Sequence, residues 1–264
     1  MNESNRAGLG YHGAVAMAQQ PDLPQRVASV SGGVDEAEGE LVRVLQRSSC
    51  PAAVVEAATE QRWVLSRPRI LRLLLRHPAC PRPFALEAIQ RLGWSDLADI
   101  CRHPRTAPRI RQQAERRLVE RLSSLSAGER VTLARVASRS VIIAMLGDQE
   151  PRCIAALLDN PRFTETEALR LLATNRRSAC ALSVVRHPLW GRRREVMRAA
   201  ICSPSVPLGV ALGVAVSMSG SDLVRIVQSG EASELVRGAI LSLLERRRHA
   251  LDPDPGEAPP LISG

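Results

Sequence analysis

The chain of 264 residues contains no lysine, so all 36 residues counted as Lys or Arg are arginine. Aromatic side chains are scarce as well: three Trp, two Phe and one Tyr. That scarcity argues against a reader of single-stranded RNA or DNA, which stacks bases on aromatic faces. The six cysteines, at 50, 80, 101, 153, 180 and 202, never come closer than 21 residues to one another. There is no C-x-x-C pair and no local zinc spacing. Each cysteine sits beside apolar or small residues, so buried, reduced thiols in a reducing compartment are expected, with no metal and no cofactor. The longest weakly polar run, Val206 to Met218, is interrupted by Pro207, Gly209 and Gly213 and falls short of the ~20 residues a membrane span needs. The N-terminus lacks a charged region followed by an apolar core, so no secretory signal is read and a cytoplasmic location is expected. G-x-S-x-G, the P-loop, G-x-G-x-x-G and H-E-x-x-H are all missing. No residue stands out as catalytic.

The residues that are present can build a core, because 45% of them are hydrophobic. This composition excludes an acidic disordered chain, a collagen-like chain and a disulfide miniprotein. The formal net charge of +9 is unevenly spread. Residues 1–40 carry −4 and residues 249–264 carry −3, which leaves +16 on 41–248, from 34 Arg against 18 acidic residues. The segment 1–36 is rich in Gly, Ser, Gln and Pro and reads as disordered, with Met17 as an alternative start. The acidic, Pro-rich segment 251–264 reads the same way. A basic body between acidic ends suits a polyanionic partner, and the ends suit folding back over it as a shield. An all-Arg, Ala/Leu/Val-rich surface is also what a GC-rich genome writes.

Between 37 and 250 apolar residues recur at three- and four-residue spacing in short runs separated by Pro, Gly, Ser or Asn. Period-two alternation is absent, so the expected class is all-α with about 14–15 helices. Ser126 with Glu129 and Thr164 with Glu167 are capping-box pairs. Arg-His-Pro occurs at 76–78, 102–104 and 186–188, and Asn160-Pro161 and Ser203-Pro204 fill equivalent places. Each follows an apolar helix and precedes a new one, as proline requires. His77 and His103 are 26 residues apart and Asn160 and His187 are 27 apart, the period of a helical repeat. A shift of 126 residues superimposes Pro78 on Pro204, Pro81 on Pro207, Asp96 on Asp222, Arg111 on Arg237 and Arg121 on Arg247, with Trp63 meeting Trp190 after a one-residue slip. A unit of about 80 residues is therefore read twice, at 41–121 and 168–247, with a bridge at 122–167. Ser95-Asp96 and Ser221-Asp222 read as N-cap and first-turn acid of one helix in each copy, and Trp94 as the residue just before that cap.

The segments "HPACPRPFALEAI", "NPRFTETEALRLLATN" and "SPSVPLGVALGVAV" resemble the N-P-x-T-P-x-x-x-L-x-x-L-A rhythm of leucine-rich-repeat-variant proteins and the wider HEAT-like α-solenoids. The resemblance covers most of 41–248. It implies an armadillo-type α-solenoid fold and macromolecular binding, and it transfers no catalytic residue. The cysteine cluster that accompanies some members of that family is missing, so no iron–sulfur cluster is implied.

Three histidines at equivalent repeat positions would be spaced along a solenoid, which makes them turn caps rather than a metal set. The arginine clusters carry the functional signal. Arg105, Arg109 and Arg116 fall away from the apolar stripe Ile110, Ala114 and Leu118, and Arg192, Arg193, Arg194 and Arg198 form a second group. Arg forks suit carboxylate and phosphate, although a solvated charged face has the same composition. Trp63, Trp94 and Trp190 are either hydrophobic anchors for a partner or packing between repeats. The reading that follows is a non-enzymatic scaffold for a protein or peptide partner, an acidic one. The alternative is sequence-independent binding of duplex backbone, and a remote third is a HEAT-like DNA glycosylase using Trp with Asp96 or Asp99. The oligomeric state is not readable from the sequence.

Overall fold

Ile70, Leu71, Leu74 and Leu75 fall at the spacing that gathers apolar side chains on one helix face. In the computed structural model all four are buried, in a helix over Pro68–Arg76 that begins on a proline at its first turn, where no N–H is needed. The structure describes residues 34–47 and 49–251. The disordered reading of the N-terminal segment, for residues 1–33, and that of the tail from 252 onward lie outside the described residues.

The described residues contain fifteen α-helices, three short 3₁₀ turns and no strand, so the chain is all-α. In a first unit, ending at Arg121, these are α1 (Val34–Leu45), α2 (Ala52–Thr59), α3 (Pro68–Arg76), α4 (Arg82–Arg91), α5 (Trp94–Arg102) and α6 (Pro108–Arg121), with a 3₁₀ turn at Arg62–Ser66. In a second unit, from Leu122, they are α7 (Ala127–Val136), α8 (Arg139–Met145), α9 (Pro151–Leu158), α10 (Glu165–Thr174), α11 (Ser178–Arg186), α12 (Arg194–Cys202), α13 (Leu208–Val216), α14 (Gly220–Ser229) and α15 (Glu234–Leu251). Leu122–Ser124 and Trp190–Arg192 are its 3₁₀ turns. Within the first unit α1 packs on α3, α3 on α5 and α4 on α6. Within the second, α7 packs on α9, α9 on α11, α10 on α12 and α13 on α15. Helices two apart in the chain stack on each other, as alternating members of two layers do. The apolar stripes thereby bury one another, for no helix here has enough apolar face to stand alone.

Five helices of the first unit begin 126 residues before five of the second: Ala52 with Ser178, Pro68 with Arg194, Arg82 with Leu208, Trp94 with Gly220 and Pro108 with Glu234. One side-chain device also recurs at that offset. Arg121 donates to the carbonyls of Gln90 (3.0 Å) and Leu92 at the end of α4. Arg247 donates to the carbonyls of Val216 and Met218 (2.8 Å) at the end of α13. Each guanidinium satisfies the carbonyls a helix leaves open at its C-terminus, where a cation is also favoured electrostatically.

The residue before five of the inter-helix prolines makes a second, more frequent device. His77, His103, Asn160, His187 and Ser203 each accept a hydrogen bond from the N–H two residues on, at 2.8–3.4 Å, and Asn175 does so without a following proline. The proline has no N–H, so the donor two residues on is the first available. Most of these side chains then also bond to a group some 27 to 31 residues earlier in the chain. His77 Nε2 reaches the Cys50 carbonyl (3.2 Å), Asn175 Nδ2 reaches the Leu146 and Asp148 carbonyls (3.1 and 3.0 Å), and Ser203 Oγ reaches the Leu172 carbonyl (2.7 Å). His187 Nε2 meets Asp159 Oδ1 at 3.3 Å. A carbonyl only accepts, so His77 carries its proton on Nε2 and leaves Nδ1 free to accept. The His-Pro, Asn-Pro and Ser-Pro signatures are thus turn closures, and all but His103 also bond to a group 23 to 31 residues earlier.

Both capping boxes form. Ser126 N–H donates to Glu129 (2.8 Å) while the Glu129 N–H donates to Ser126 Oγ (3.3 Å), and Thr164 N–H donates to Glu167 (3.0 Å). The two Ser-Asp pairs need correction. α5 starts on Trp94 with Gly93 at its N-cap, and α14 starts on Gly220 with Ser219 as N-cap, so Ser95 and Ser221 lie inside their helices and Trp94 does not precede the cap. Asp96 and Asp222 are first-turn acids as expected. They also take ion pairs from the helices two before them: Arg72 reaches Asp96 at 3.2 Å, and Arg194 holds Asp222.

Gly191, beside Trp190, is required by close approach. A Cβ there would lie 2.1 Å from the Val185 carbonyl oxygen, on backbone already held by the Gly191 N–H bond to the His187 carbonyl (2.9 Å). Gly191→Ala is expected to cost about 1–3 kcal/mol in urea unfolding. Gly128→Ala, in α7 with open space around it, should be neutral or slightly stabilising by helix propensity.

Candidate functional site

The arginines singled out by sequence separate into two kinds. Arg194 and Arg198 are engaged within their own unit. Arg194 holds Asp222 through Nε (2.7 Å) and Nη2, and its hydrogen bonds, with that of Ser219, keep the Asp222 carboxyl below the usual carboxylate range. Arg198 meets Glu231 at 3.1 Å and Glu195 at 3.9 Å. Arg194 thus ties α12 to α14, and Arg198 ties α12 to the turn that follows α14. Arg105, Arg109, Arg116, Arg192 and Arg193 are exposed, and no side-chain hydrogen bond or ion pair engages them among the described residues.

Arg109 and Arg116 are seven residues apart on α6 and share one face, with Gln112 and Gln113 between them. Arg109 lines a groove between α4 and α6 of about 200 Å³ whose floor is Ala85, Leu86, Ile89 and Ile110. Arg82 stands on its α4 edge, with Gln112 and Gln113 on the α6 edge. Leu86 is 41% exposed, an open apolar surface between cations. The acid nearest in sequence on α4, Glu87, pairs with Arg91 at 3.0 Å, and Glu120 on α6 pairs with Arg117 at 3.2 Å. Arg82 and Arg109 therefore face the groove without a counter-charge among the described residues.

Arg105 belongs to a different place. It lines a cavity of about 760 Å³ built from the turns after α1, α3 and α5, together with Cys50, Arg76, His77 and His103. Burial pushes the Cys50 thiol up, and it pushes Cys80 and Cys101 up to about 12. Thiols held that high are neutral at physiological pH and are poor nucleophiles.

The three tryptophans are not equivalent. Trp190 is buried, its indole Nε1–H donating to the Leu158 carbonyl (2.9 Å) and its ring meeting Phe163 edge-on at 5.5 Å. It packs inside its unit and is closed to a partner. Trp63 and Trp94 are half-buried. None of the three lines the groove or the cavity. Among the described residues no three His, Cys, Asp or Glu side chains gather as a metal set, and no helix is long and apolar enough to cross a membrane.

Sequence reasoning missed Arg82, which lies 27 residues before Arg109, one repeat period away. That spacing was the signal that could have paired them. It also missed Arg76, because an arginine beside a turn histidine looks like any other solvated cation until the cavity is seen. Comparison of the chain with protein-family models, with curated proteins and with solved structures finds no match.

Proposed function

We propose that this chain is a non-enzymatic, cytoplasmic binding module of HEAT-like α-solenoid type, grown from a duplicated unit, and that it binds an acidic protein segment in the groove between α4 and α6. The constant offset of five helix starts and the recurrence of the Arg121 and Arg247 caps support the duplicated repeat. The observation that carries the function is the groove itself: an apolar floor between Arg82 and Arg109, neither of them neutralised. A segment that places an aliphatic side chain on Leu86 and Ile89 and carboxylates against the two guanidinium groups would bury apolar area and form two charge-assisted contacts together. At the offset of 126 residues the same two places are Leu208 and Leu235, 44% and 75% exposed. The basic edges are therefore particular to the first unit and are not a requirement of the repeat.

The test is fluorescence anisotropy with a fluorescein-labelled peptide of alternating Leu and Glu, beside a labelled duplex DNA, at about 50 and 200 mM salt. The expected result is peptide binding that survives the higher salt and weakens about tenfold or more in the Arg82→Glu, Arg109→Glu double variant. Duplex binding that is tighter than peptide binding, falls steeply with salt and ignores the double variant would overturn it in favour of a phosphate-backbone reader.

A further inference from the structure

The row of turn closures has one member that is incomplete. His77 donates from Nε2 to the Cys50 carbonyl, and His187 meets Asp159. His103 also accepts at Nδ1, from the Arg105 N–H (3.3 Å), which places its neutral proton on Nε2. No group among the described residues receives that proton. Burial, and then the charge of Arg76, push the His103 pKa below its ordinary value, with Asp99 opposing the shift and Arg105 adding to it, so the neutral ring with its N–H donor is favoured at pH 7.

His103 lines the 760 Å³ cavity with two arginines, Arg105 and Arg76. Arg105 has no ion-pair partner among the described residues. Arg76 directs Nη2 to Asp99, while its Nε–H is buried with no acceptor. Among the described residues no carboxylate lines the cavity, and its remaining walls include Leu45, Leu73 and Pro78. The volume is that of a small-ligand site, and the lining is mixed, with polar and apolar groups in about equal share. The offset of 126 residues supplies an internal comparison. There Arg76, His103 and Arg105 become Cys202, Ser229 and Glu231. The turn geometry persists, since Ser229 Oγ accepts the Glu231 N–H (3.4 Å). However, Glu231 is matched by Arg198 at 3.1 Å, whereas in the first unit Arg72 goes to Asp96 and Arg105 is left over. The turn therefore accommodates a fully matched set, and the first unit keeps an unmatched positive one.

We propose that this cavity binds a small organic anion, a carboxylate or phosphate head on an apolar body, with the head held by His103 Nε2–H and the guanidinium groups of Arg105 and Arg76 and the body against Leu45 and Leu73. The site shares no residue with the α4/α6 groove and does not depend on it.

Phenyl phosphate, benzoate and inorganic phosphate are the probes, titrated against the full chain with the His103 imidazole signals followed by NMR at 150 mM salt. Phenyl phosphate or benzoate is expected to shift the His103 signals and to bind at least tenfold more tightly than inorganic phosphate, the tighter of the two identifying the head group. Arg105→Glu, at an exposed position whose counterpart is already Glu231, should leave folding intact and weaken binding tenfold or more. His103→Asn keeps the turn acceptor, as Asn160 and Asn175 do, but retracts the outward donor, and should weaken binding several-fold. Arg193→Glu, the same charge change in the other unit, should leave it unchanged. Equal affinity for inorganic phosphate, equal loss in Arg193→Glu, or no His103 shift at millimolar probe would reduce the site to adventitious anion attraction and overturn the proposal. None of these outcomes bears on the Leu/Glu peptide, whose binding is read at Arg82 and Arg109.

Discussion

Asn160→Ala is expected to remove about 3–5 kcal/mol of stability. The side chain is 3% exposed and makes three hydrogen bonds, all to backbone. Nδ2 donates to the carbonyls of Ala134 (2.7 Å) and Ala137 (3.2 Å), and Oδ1 accepts the Arg162 N–H (2.8 Å). Truncation leaves two carbonyls and one N–H short of a partner. At about 1–3 kcal/mol for each buried group so stranded, with some relief from relaxation or an entering water, the sum falls in the stated range. Asn160→Asp sharpens the test, because it keeps the shape and the acceptor but turns an oxygen toward the two carbonyls. The native state then favours the protonated acid, so its folded pKa lies above the unfolded value. The sign follows from that: the folded state binds more protons, the variant is closest to wild type in mild acid, and it loses stability as the pH rises through its folded pKa. Urea unfolding at pH 5 and pH 8 measures both effects. A loss under about 1 kcal/mol for Asn160→Ala would mean that the back-donation contributes little to the link between repeats.

The helices were legible because their information is local. Ile70, Leu71, Leu74 and Leu75 announce a buried face by spacing alone, and Ser126 and Thr164 announce helix starts because a capping box lies within four residues. The turns were legible only in part. His77, Asn160 and Ser203 could be read as closures before a proline, but their second bonds, to Cys50, Ala134 and Leu172, reach 26 to 31 residues back, and no local rule exposes an acceptor that far away. The same limit misplaced Ser95. A Ser-Asp pair satisfies the capping pattern, yet Gly93 takes the cap and α5 begins two residues earlier than the pair suggests.

The candidate site was legible as a composition and illegible as an arrangement. Arg105, Arg109, Arg194 and Arg198 look alike in sequence, since each is an arginine at a helix end or beside a turn. Folding divides them by what lies opposite. Asp222 and Glu231 stand across from Arg194 and Arg198 and absorb their charge, while Arg109 faces Ile89 and Leu86. An ion pair between groups 28 or 33 residues apart depends on the stacking of one helix on another, and only the repeat register, applied pairwise, would have anticipated it. The recurrence of Asp222 at the place of Asp96 was in fact such a hint.

Trp190→Ala should cost about 3–5 kcal/mol, as for other large buried aromatics. The ring is 7% exposed, its edge contact with Phe163 is lost with it, and the Leu158 carbonyl loses its indole donor. Trp190→Phe separates these contributions. It retains most of the apolar area, gives up the N–H and leaves a smaller void, so a loss of about 1–2 kcal/mol is expected. Trp63 provides the contrast, although the one-residue slip aligns it with Trp190. Its Nε1 is buried with no acceptor, so Trp63→Phe removes an unsatisfied donor and should be near neutral in the same unfolding measurement. If instead Trp63→Phe is as damaging as Trp190→Phe, the two rings play one role and the alignment extends to their bonding. If Trp190→Ala is mild, the ring is not a packing element, and an anchor role for it returns to consideration. The ordering Trp190→Ala, then Trp190→Phe, then Trp63→Phe follows from a single geometric fact. One indole has been given a carbonyl to donate to, and the other has not.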